Sequence, residues 1–250
     1  MKRKTPRTRL DKLLMARGLA SNAQKAQAMI LAGEVFVNGA RVSTSGTPIA
    51  EDALVEINSR EQRYASRGGF KLEGALRDFH VDPVGKVCLD VGSSTGGFTD
   101  CLLQHGAIRV YAVDVTVDQI AWKLRQDPRV LRIERNAREL GSHDIPESVD
   151  LVTLDVSFIS VGKVLPPAAA VAKEGADFLI LVKPQFELGR EEIGPGGIVA
   201  EPDLHEKAIS IVRQATSSAG LRSVGIQPSQ LAGAAGNQEY FLHARKNSLR

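Results

Sequence analysis

From Val87 to Arg245, short apolar runs rich in β-branched residues alternate with stretches of helical period, and no other feature of this 250-residue chain restricts its fold so tightly. The runs are VCLDVG (87–92), VYAVDV (110–115), VLRI (130–133), DLVTLDV (150–156) and DFLILVK (177–183), with two more near 222–228 and 239–245. Strands that are apolar throughout, rather than at every second residue, are buried on both faces, so helices must cover both sides of their sheet. Helix-length spacers between them call for crossover connections. The region is therefore expected to be α/β with a mostly parallel sheet, which excludes a β-sandwich and a helix bundle. With 43% hydrophobic residues the chain has material for this large core and for a second, smaller one.

The first 60 residues read differently. RLDKLLMARG (9–18) puts Leu10, Leu13 and Leu14 on one helical face and ends at Gly18. NAQKAQAMILAG (22–33) repeats the plan, with Asn22 placed to cap and Gly33 to terminate, and Val35–Val37 followed by Asn38-Gly39 reads as a strand entering a turn. Ten Lys/Arg against five acids make residues 1–60 net +5 and leave −2 for the remainder, the electrostatic footprint of a polyanion-binding module. The domains expected are 1–60 and 68–250, joined by a polar linker at 61–67 whose Arg63–Ser66 stretch could couple the two.

Within the larger region, Leu89-Asp90-Val91-Gly92-Ser93-Ser94-Thr95-Gly96-Gly97-Phe98-Thr99 sets an acid at a strand end, a loop of small residues and a helix start, where free backbone N–H groups can meet a ligand. Asp114, at the end of the next strand, can take the two hydroxyls of a ligand ribose. The glycines stand at 92, 96 and 97, so the G-x-G-x-x-G of dinucleotide binding is missing, and Asp90 would sit badly against a pyrophosphate. A ligand with a cationic or zwitterionic end, such as S-adenosylmethionine, suits Asp90 better.

The N-terminal segment resembles the RNA-binding module of ribosomal protein S-four over residues 8–57, through Arg9-Leu10-Asp11, the helix end Ala26–Gly33 and Gly33-Glu34-Val35-Phe36-Val37-Asn38-Gly39. The second domain resembles the ribose 2′-O-methyltransferases of the FtsJ type, with SRGGFKL (66–72), DVGSSTGGFTD (90–100), LDVSFIS (154–160) and VKPQFE (182–187). The pairing of the two resembles the TlyA family, which methylates ribosomal RNA at cytidine ribose and carries a historical hemolysin label. The resemblance implies a Rossmann-like class I methyltransferase domain with a seven-stranded sheet, S-adenosylmethionine as cofactor and ribosomal RNA or ribosomal subunits as partner. It further implies a catalytic tetrad at Lys71, Asp155, Lys183 and Glu239. Cofactor contacts are expected from Asp90, Gly92, Ser94, Gly96, Gly97, Phe98, Thr99, Asp114, Asn136 and Asp155, with Asn136 open to an ordinary turn role. RNA contacts are expected from Arg9, Lys12, Arg17, Lys25, Arg41 and Arg67, and from Phe158 as a stacking platform or a core aromatic.

The tetrad also makes chemical sense. A ribose hydroxyl is a poor nucleophile at neutral pH and must be oriented and relieved of its proton. Lys183 at an apolar strand end, beside Asp155 and a second cation at Lys71, is the candidate to do both, and Glu239 completes an alternating-charge cluster. The five histidines and two cysteines show no metal-ligand spacing, so no metal is expected. The N-terminus lacks an apolar signal core and no run approaches the length of a membrane span, so a cytoplasmic location without membrane insertion is expected. A noncatalytic RNA-binding scaffold and a membrane-active hemolysin are the competing readings. The first is disfavoured by the complete tetrad, the second by the lack of an amphipathic or spanning segment. Trp122 is expected to pack on a helix, and the glycine-rich segment 185–199 to gate the site.

Overall fold

In the computed structural model, which describes residues 6–20, 22–57, 63–233 and 236–248, the chain divides into two units, Met1–Arg63 and Tyr64–Arg250. Lys2, Arg3, Lys4, Arg60 and the first two residues of the expected linker, 61 and 62, lie outside the described residues. Residues 64–67 belong to the second unit for a packing reason. Tyr64 is fully buried, edge-on to Phe70 at 5.0 Å and in the space a Cβ on Gly69 would need, and the Ala65 N–H donates to Asp100 Oδ2 at 2.7 Å.

The first unit runs β1 (Arg7–Arg9), α1 (Leu10–Ala16), α2 (Ala23–Leu31), β2 (Val35–Val37), β3 (Ala40–Arg41), β4 (Pro48–Ala50) and β5 (Val55–Ile57). Leu10, Leu13 and Leu14 of α1 meet Ala26, Met29 and Ile30 of α2 over Val35 and Val37, the helical period burying one face of each helix. Asn22 caps α2 by accepting from Lys25 N at 2.8 Å. Asn38 and Gly39, at φ +50° and +78°, form the left-handed pair that a two-residue hairpin between β2 and β3 requires.

The second unit comprises α3 (Gly68–Asp78), β6 (Val87–Val91), α4 (Gly97–Gln104), β7 (Arg109–Asp114), α5 (Trp122–Arg125), β8 (Val130–Glu134), β9 (Val149–Leu154), α6 (Leu165–Ala170), β10 (Ala172–Val182), α7 (Pro184–Glu187), α8 (Pro202–Ser218), β11 (Leu221–Pro228) and β12 (Tyr240–Lys246). The strands form one seven-stranded sheet in the order β11-β12-β10-β9-β6-β7-β8. β8, β7, β6, β9 and β10 are parallel, and β12 alone is reversed, antiparallel to both of its neighbours β10 and β11. One apolar cluster, built on Phe178, Leu165, Val212 and Leu242, fills one face, and another, on Leu72, Leu102, Leu179 and Phe241, fills the other. The chain moves outward from β6 to β7 and β8, then returns to the opposite side at β9, leaving a crevice at the carboxyl ends of β6 and β9 where ligands of open parallel sheets bind. Because β12 is antiparallel, Glu239 just before it lies at that same edge.

Trp122 corrects one expectation: it is 72% exposed, because α5 is a single short turn whose buried contact is made by Leu124. No helix of the described residues is long and apolar enough to cross a membrane. At the opposite edge of the sheet, buried Asp177 accepts from His243 Nε2 at 2.9 Å, Arg245 Nε at 2.8 Å and Lys86 Nζ at 3.2 Å. Burial alone would raise this carboxyl, but the hydrogen bonds from His243 and Arg245, and then Lys86, outweigh it and hold the group well below the usual aspartate range. A depressed carboxylate stabilises the fold fully above its unfolded value, about pH 4, and loses that contribution as pH falls further. Asp177→Asn is therefore expected to lower stability at neutral pH by on the order of 2 kcal/mol and to flatten the acid limb of stability against pH. Denaturant melts from pH 3 to 7 check this, and an unchanged acid limb would contradict it.

Candidate active site

Two cavities meet at the crevice and share Gly92, Ser94 and Asp155. One is lined by Ser66, Arg67, Gly68, Lys71, Ser93, Thr95, Gly97, Phe98 and Ala232, the other by Val115, Gln119, Arg135, Ala137 and Val156, together with Asp114, Asn136, Ser157, Phe158 and Ile159. The shared wall arises from a backbone contact. Asp155 N donates to Val91 O at 2.9 Å, and Gly92, at φ +85°, comes so close to the Asp155 carbonyl that a Cβ there would stand 2.4 Å from its oxygen.

The four tetrad positions form two ion pairs at this edge. Lys183 Nζ lies 2.6 Å from Asp155 Oδ1 and donates a hydrogen bond to Ser157 Oγ at 2.9 Å. Lys71 Nζ donates to Glu239 Oε2 at 2.5 Å. Lys183 and Glu239 are buried, while Lys71 and Asp155 line the first cavity, so each pair turns one member toward it. β10 delivers Lys183, the end of β9 delivers Asp155, α3 delivers Lys71 and the approach to β12 delivers Glu239.

The loop after β6 places the expected cofactor residues unevenly. Gly92, Ser94, Gly97 and Phe98 reach the first cavity, although Phe98 is mostly a core side chain stacked on Phe241 at 6.0 Å. Asp114 accepts from Ser94 N at 2.9 Å, and Asn136 caps the turn that follows it by accepting from Arg138 N at 3.2 Å; both line the second cavity. Asp90, Thr99 and Gly96 are buried below the loop. Asp90 is completely enclosed, accepting from Thr99 Oγ1 at 2.6 Å and Thr153 Oγ1 at 3.0 Å. The register that pairs Asp90 with Thr153 across β6 and β9 brings the second hydroxyl there. Burial, against these two hydrogen bonds and reinforced by Asp155, raises the Asp90 carboxyl to about 7. Sequence reasoning passed over Ser93, whose buried Oγ lines the first cavity without a partner among the described residues, and Ser157, the hydroxyl acceptor of Lys183. Both stand inside motifs recognisable from the sequence, but neither residue type carries a signal of its own.

Phe158 is 92% exposed, sits at φ +65° and touches Phe186 at 5.2 Å. A bulky residue in this region costs on the order of 1–3 kcal/mol and persists only where its surroundings enforce it. The segment 185–199 is ordered by short turns and pinned at its end: Val199 N donates to Asn237 Oδ1 at 2.9 Å, Asn237 Nδ2 donates to Gly197 O at 2.8 Å, and His205 Nε2 lies 2.9 Å from Val199 O.

In the first unit, the expected RNA-facing residues separate into two groups. Arg9 is engaged with buried Asp11 at 2.6 Å, and Arg17 donates to the carbonyls of Ala53 at 2.9 Å and Glu51 at 2.6 Å. Lys12 and Lys25 are exposed on α1 and α2, and Arg41 is exposed with one long bond, 3.4 Å, to Ala32 O. Arg67, in the second unit, is exposed at the rim of the first cavity.

A seven-stranded sheet of this order with a glycine loop and an acidic strand end at its switch point defines an α/β methyltransferase domain, and the FtsJ-like methyltransferase model matches residues 64–246. The S4 domain model matches residues 8–55. The 16S/23S rRNA (cytidine-2′-O)-methyltransferase TlyA of Mycobacterium tuberculosis is 44% identical over 246 residues, 98% of this chain and 92% of the relative. Hemolysin A of Brachyspira hyodysenteriae is 39% identical, covering 94% and 98% of the two chains. A solved structure from Streptococcus thermophilus, titled as a hemolysin, superposes with a TM-score of 0.77 at 39% identity over 98% of this chain and 90% of its own. The chain belongs to the TlyA family of FtsJ-like methyltransferases.

The Asp90 carboxyl yields a pH test. Its folded value, about 7, lies above the usual one near 4, so the folded state binds this proton more tightly and the group costs stability progressively as pH rises from about 4 to 7. Asp90→Asn keeps the shape, and Thr153 Oγ1 can redirect its proton to Leu89 O, 3.4 Å away. The variant should gain stability relative to the parent by on the order of 2 kcal/mol between pH 5 and 8. Paired thermal scans across that range measure the difference, and a constant offset would show that Asp90 does not titrate there.

Proposed function

We propose that this protein transfers a methyl group from S-adenosylmethionine to the 2′-hydroxyl of a cytidine ribose in ribosomal RNA, within ribosomal subunits or their precursors, in the cytoplasm. The observation that carries the reading is the pair of ion pairs, Lys183 with Asp155 and Lys71 with Glu239, which bring Asp155 to the wall shared by the two cavities and Lys71 to the first of them. Asp114 and Asn136 in the second cavity suit a nucleoside. The unpartnered Ser93 Oγ and the rim of Arg67 and Lys71 in the first suit a zwitterionic tail. When bound, S-adenosylmethionine supplies an electrophilic methyl carbon.

The chain's own residues then have to present a hydroxyl oxygen and remove its proton as the new bond forms. In its neutral amine form, reached by giving one proton to solvent beforehand, Lys183 Nζ, held between Asp155 Oδ1 and Ser157 Oγ, takes that proton, and Asp155 at 2.6 Å stabilises the ammonium that results. Glu239 holds Lys71 by its 2.5 Å bond and fixes the ammonium at the first cavity, where it faces the carboxylate of the zwitterionic tail. Phe158 and Arg67 line the cavities on the side open to solvent, where RNA would enter. A membrane-active reading rests on the hemolysin names of the Brachyspira relative and the Streptococcus structure, and among the described residues no helix is long and apolar enough to cross a membrane.

Lys183→Ala is expected to abolish methyl transfer while cofactor and RNA binding survive, the pattern of an interaction made chiefly in the transition state. Lys183→Arg should rescue poorly, because a guanidinium stays protonated and its planar fork does not reproduce an ammonium. Single-turnover transfer of labelled methyl to ribosomal subunits, beside calorimetric cofactor binding, checks both. Near-parental turnover in Lys183→Arg would replace the base by a fixed charge, and activity in Lys183→Ala would remove the tetrad.

In the first unit, Lys12→Ala with Lys25→Ala should lower the dependence of log K on log salt by about 1–2 for ribosomal particles, as fewer counterions are released, and leave the melting temperature unchanged. Arg17→Ala should instead destabilise the unit by about 1 kcal/mol, since its bonds go to backbone carbonyls. Filter binding against salt and thermal melts separate the two; an unchanged salt slope in the double variant would move the RNA contact elsewhere.

A further inference from the structure

We infer that Glu187 is a positioning residue for the Lys183 site: its carboxylate latches Ser160 and the start of the turn Val161–Lys163, and thereby holds Ser157 against Lys183. The inference rests on the proposed methyl transfer. Glu187 closes α7, the short helix that begins directly after Lys183. Its Oε2 accepts from Ser160 Oγ at 2.6 Å and its Oε1 from Val161 N at 2.9 Å.

These bonds complete a zipper between two segments. Asp155 and Ser157 are fastened to Lys183, Phe158 meets Phe186, and Ser160 with Val161 is fastened to Glu187. Between the two fastened ends lies Phe158, left-handed at φ +65° and 92% exposed. Its side chain gains little from burial, so the backbone strain must be held from outside. The fastening is uneven. On one side it is Lys183 itself, the group that must stay aimed at the hydroxyl, and on the other it is Glu187. If the Glu187 end opens, the turn is free to relax at Phe158, and Ser157, one residue away, moves off Lys183 Nζ. That nitrogen would then keep only Asp155 at 2.6 Å and the face of the Phe186 ring at 5.9 Å, and would lose the hydroxyl that fixes its direction.

Glu187 is not a lining residue of either cavity, so it acts through the segment it holds and not on a ligand. Both acceptor oxygens are used by donors that carry no charge, and burial, opposed by the Ser160 and Val161 bonds, raises the carboxyl above its usual range. An acid kept under these conditions is an expensive way to cap a three-residue turn that Ser160 already caps through Gly162 N, which points to a demand for two simultaneous, short-range acceptor bonds.

The test uses the full-length chain with ribosomal subunits and labelled S-adenosylmethionine, together with amide hydrogen exchange over residues 156–163 at a temperature where each variant is folded. Glu187→Ala should lower kcat about tenfold or more with a smaller change in KM, and should speed exchange in 156–163. Glu187→Gln can accept from Val161 N–H with Oε1 and donate to Ser160 Oγ with Nε2, so it should restore both kcat and protection to within about threefold. Ser160→Ala removes one bond and should give an intermediate loss, which keeps the inference testable if Glu187→Ala fails to fold. Parental kcat and exchange in Glu187→Ala or Ser160→Ala, or equal losses in the Gln and Ala variants, would overturn it. If the parent protein itself transfers no methyl, the proposed function fails, while the exchange measurements still decide the latch.

Discussion

The close approach of Gly92 to the Asp155 carbonyl is the contact on which the rest of the site depends. It sits where the chain, having laid β7 and β8 on one side of β6, returns to lay β9 on the other. Any side chain at 92 would force the strand ends apart, because its Cβ would fall 2.4 Å from a backbone oxygen that has no freedom to move aside. The glycine therefore lets Asp155 N reach Val91 O and brings the Asp155 carboxylate to the wall that both cavities share. A parallel sheet supplies such a crevice in general; this contact makes it narrow enough for one acid to serve two pockets.

The charges around the crevice are arranged by depth. Lys183 and Glu239 are buried and Lys71 and Asp155 reach the cavity, so each buried charge is matched by a partner of opposite sign closer to solvent. Removing one member would leave an uncompensated buried charge, which costs more than the pair contributes, so the two pairs are held together by the penalty of separation. Asp90 follows a different rule at the same sheet edge. Among the described residues no cation is paired with it, and the neutral donors of Thr99 and Thr153 do not offset its burial, so its proton is retained to about pH 7. Two acids one strand apart thus differ in role through their surroundings.

The parallel strands were legible because each is a continuous apolar run, and the first-unit hairpin because Asn38-Gly39 is a turn pair with a defined geometry. The strand near 239–245 was legible too, but its reversed direction was not, since a strand's direction leaves no mark on its own sequence, and Glu239 was singled out only by the FtsJ resemblance. β10 begins earlier than its apolar run because Lys173, Glu174 and Gly175 join it across an irregularity in register, which no local pattern announces. Side-chain direction was less accessible still. Asp90 at a strand end reads as a ligand contact, yet the register with Thr153 turns it inward. Arg9 and Arg17 are expected RNA contacts on their charge alone, and what the sequence does not show is that the same exposed side chains also bind Asp11 next door and carbonyls more than thirty residues away. Trp122 reads as core because of its size, but a four-residue helix has one inward position and Leu124 holds it.

Phe158 joins these threads. Its left-handed backbone and near-complete exposure run against two separate preferences of a phenylalanine, for φ below zero and for burial. A sequence satisfies nearly all local preferences where only stability is at stake, and departures concentrate where a site imposes its own geometry. Here the departure lies three residues after Asp155, on the wall of the second cavity, in a segment tied at both ends to the α7 strand junction that carries Lys183. The same four-residue stretch lines the second cavity and holds the hydroxyl to which Lys183 donates, so under the proposed function ligand placement and proton transfer would depend on one piece of backbone.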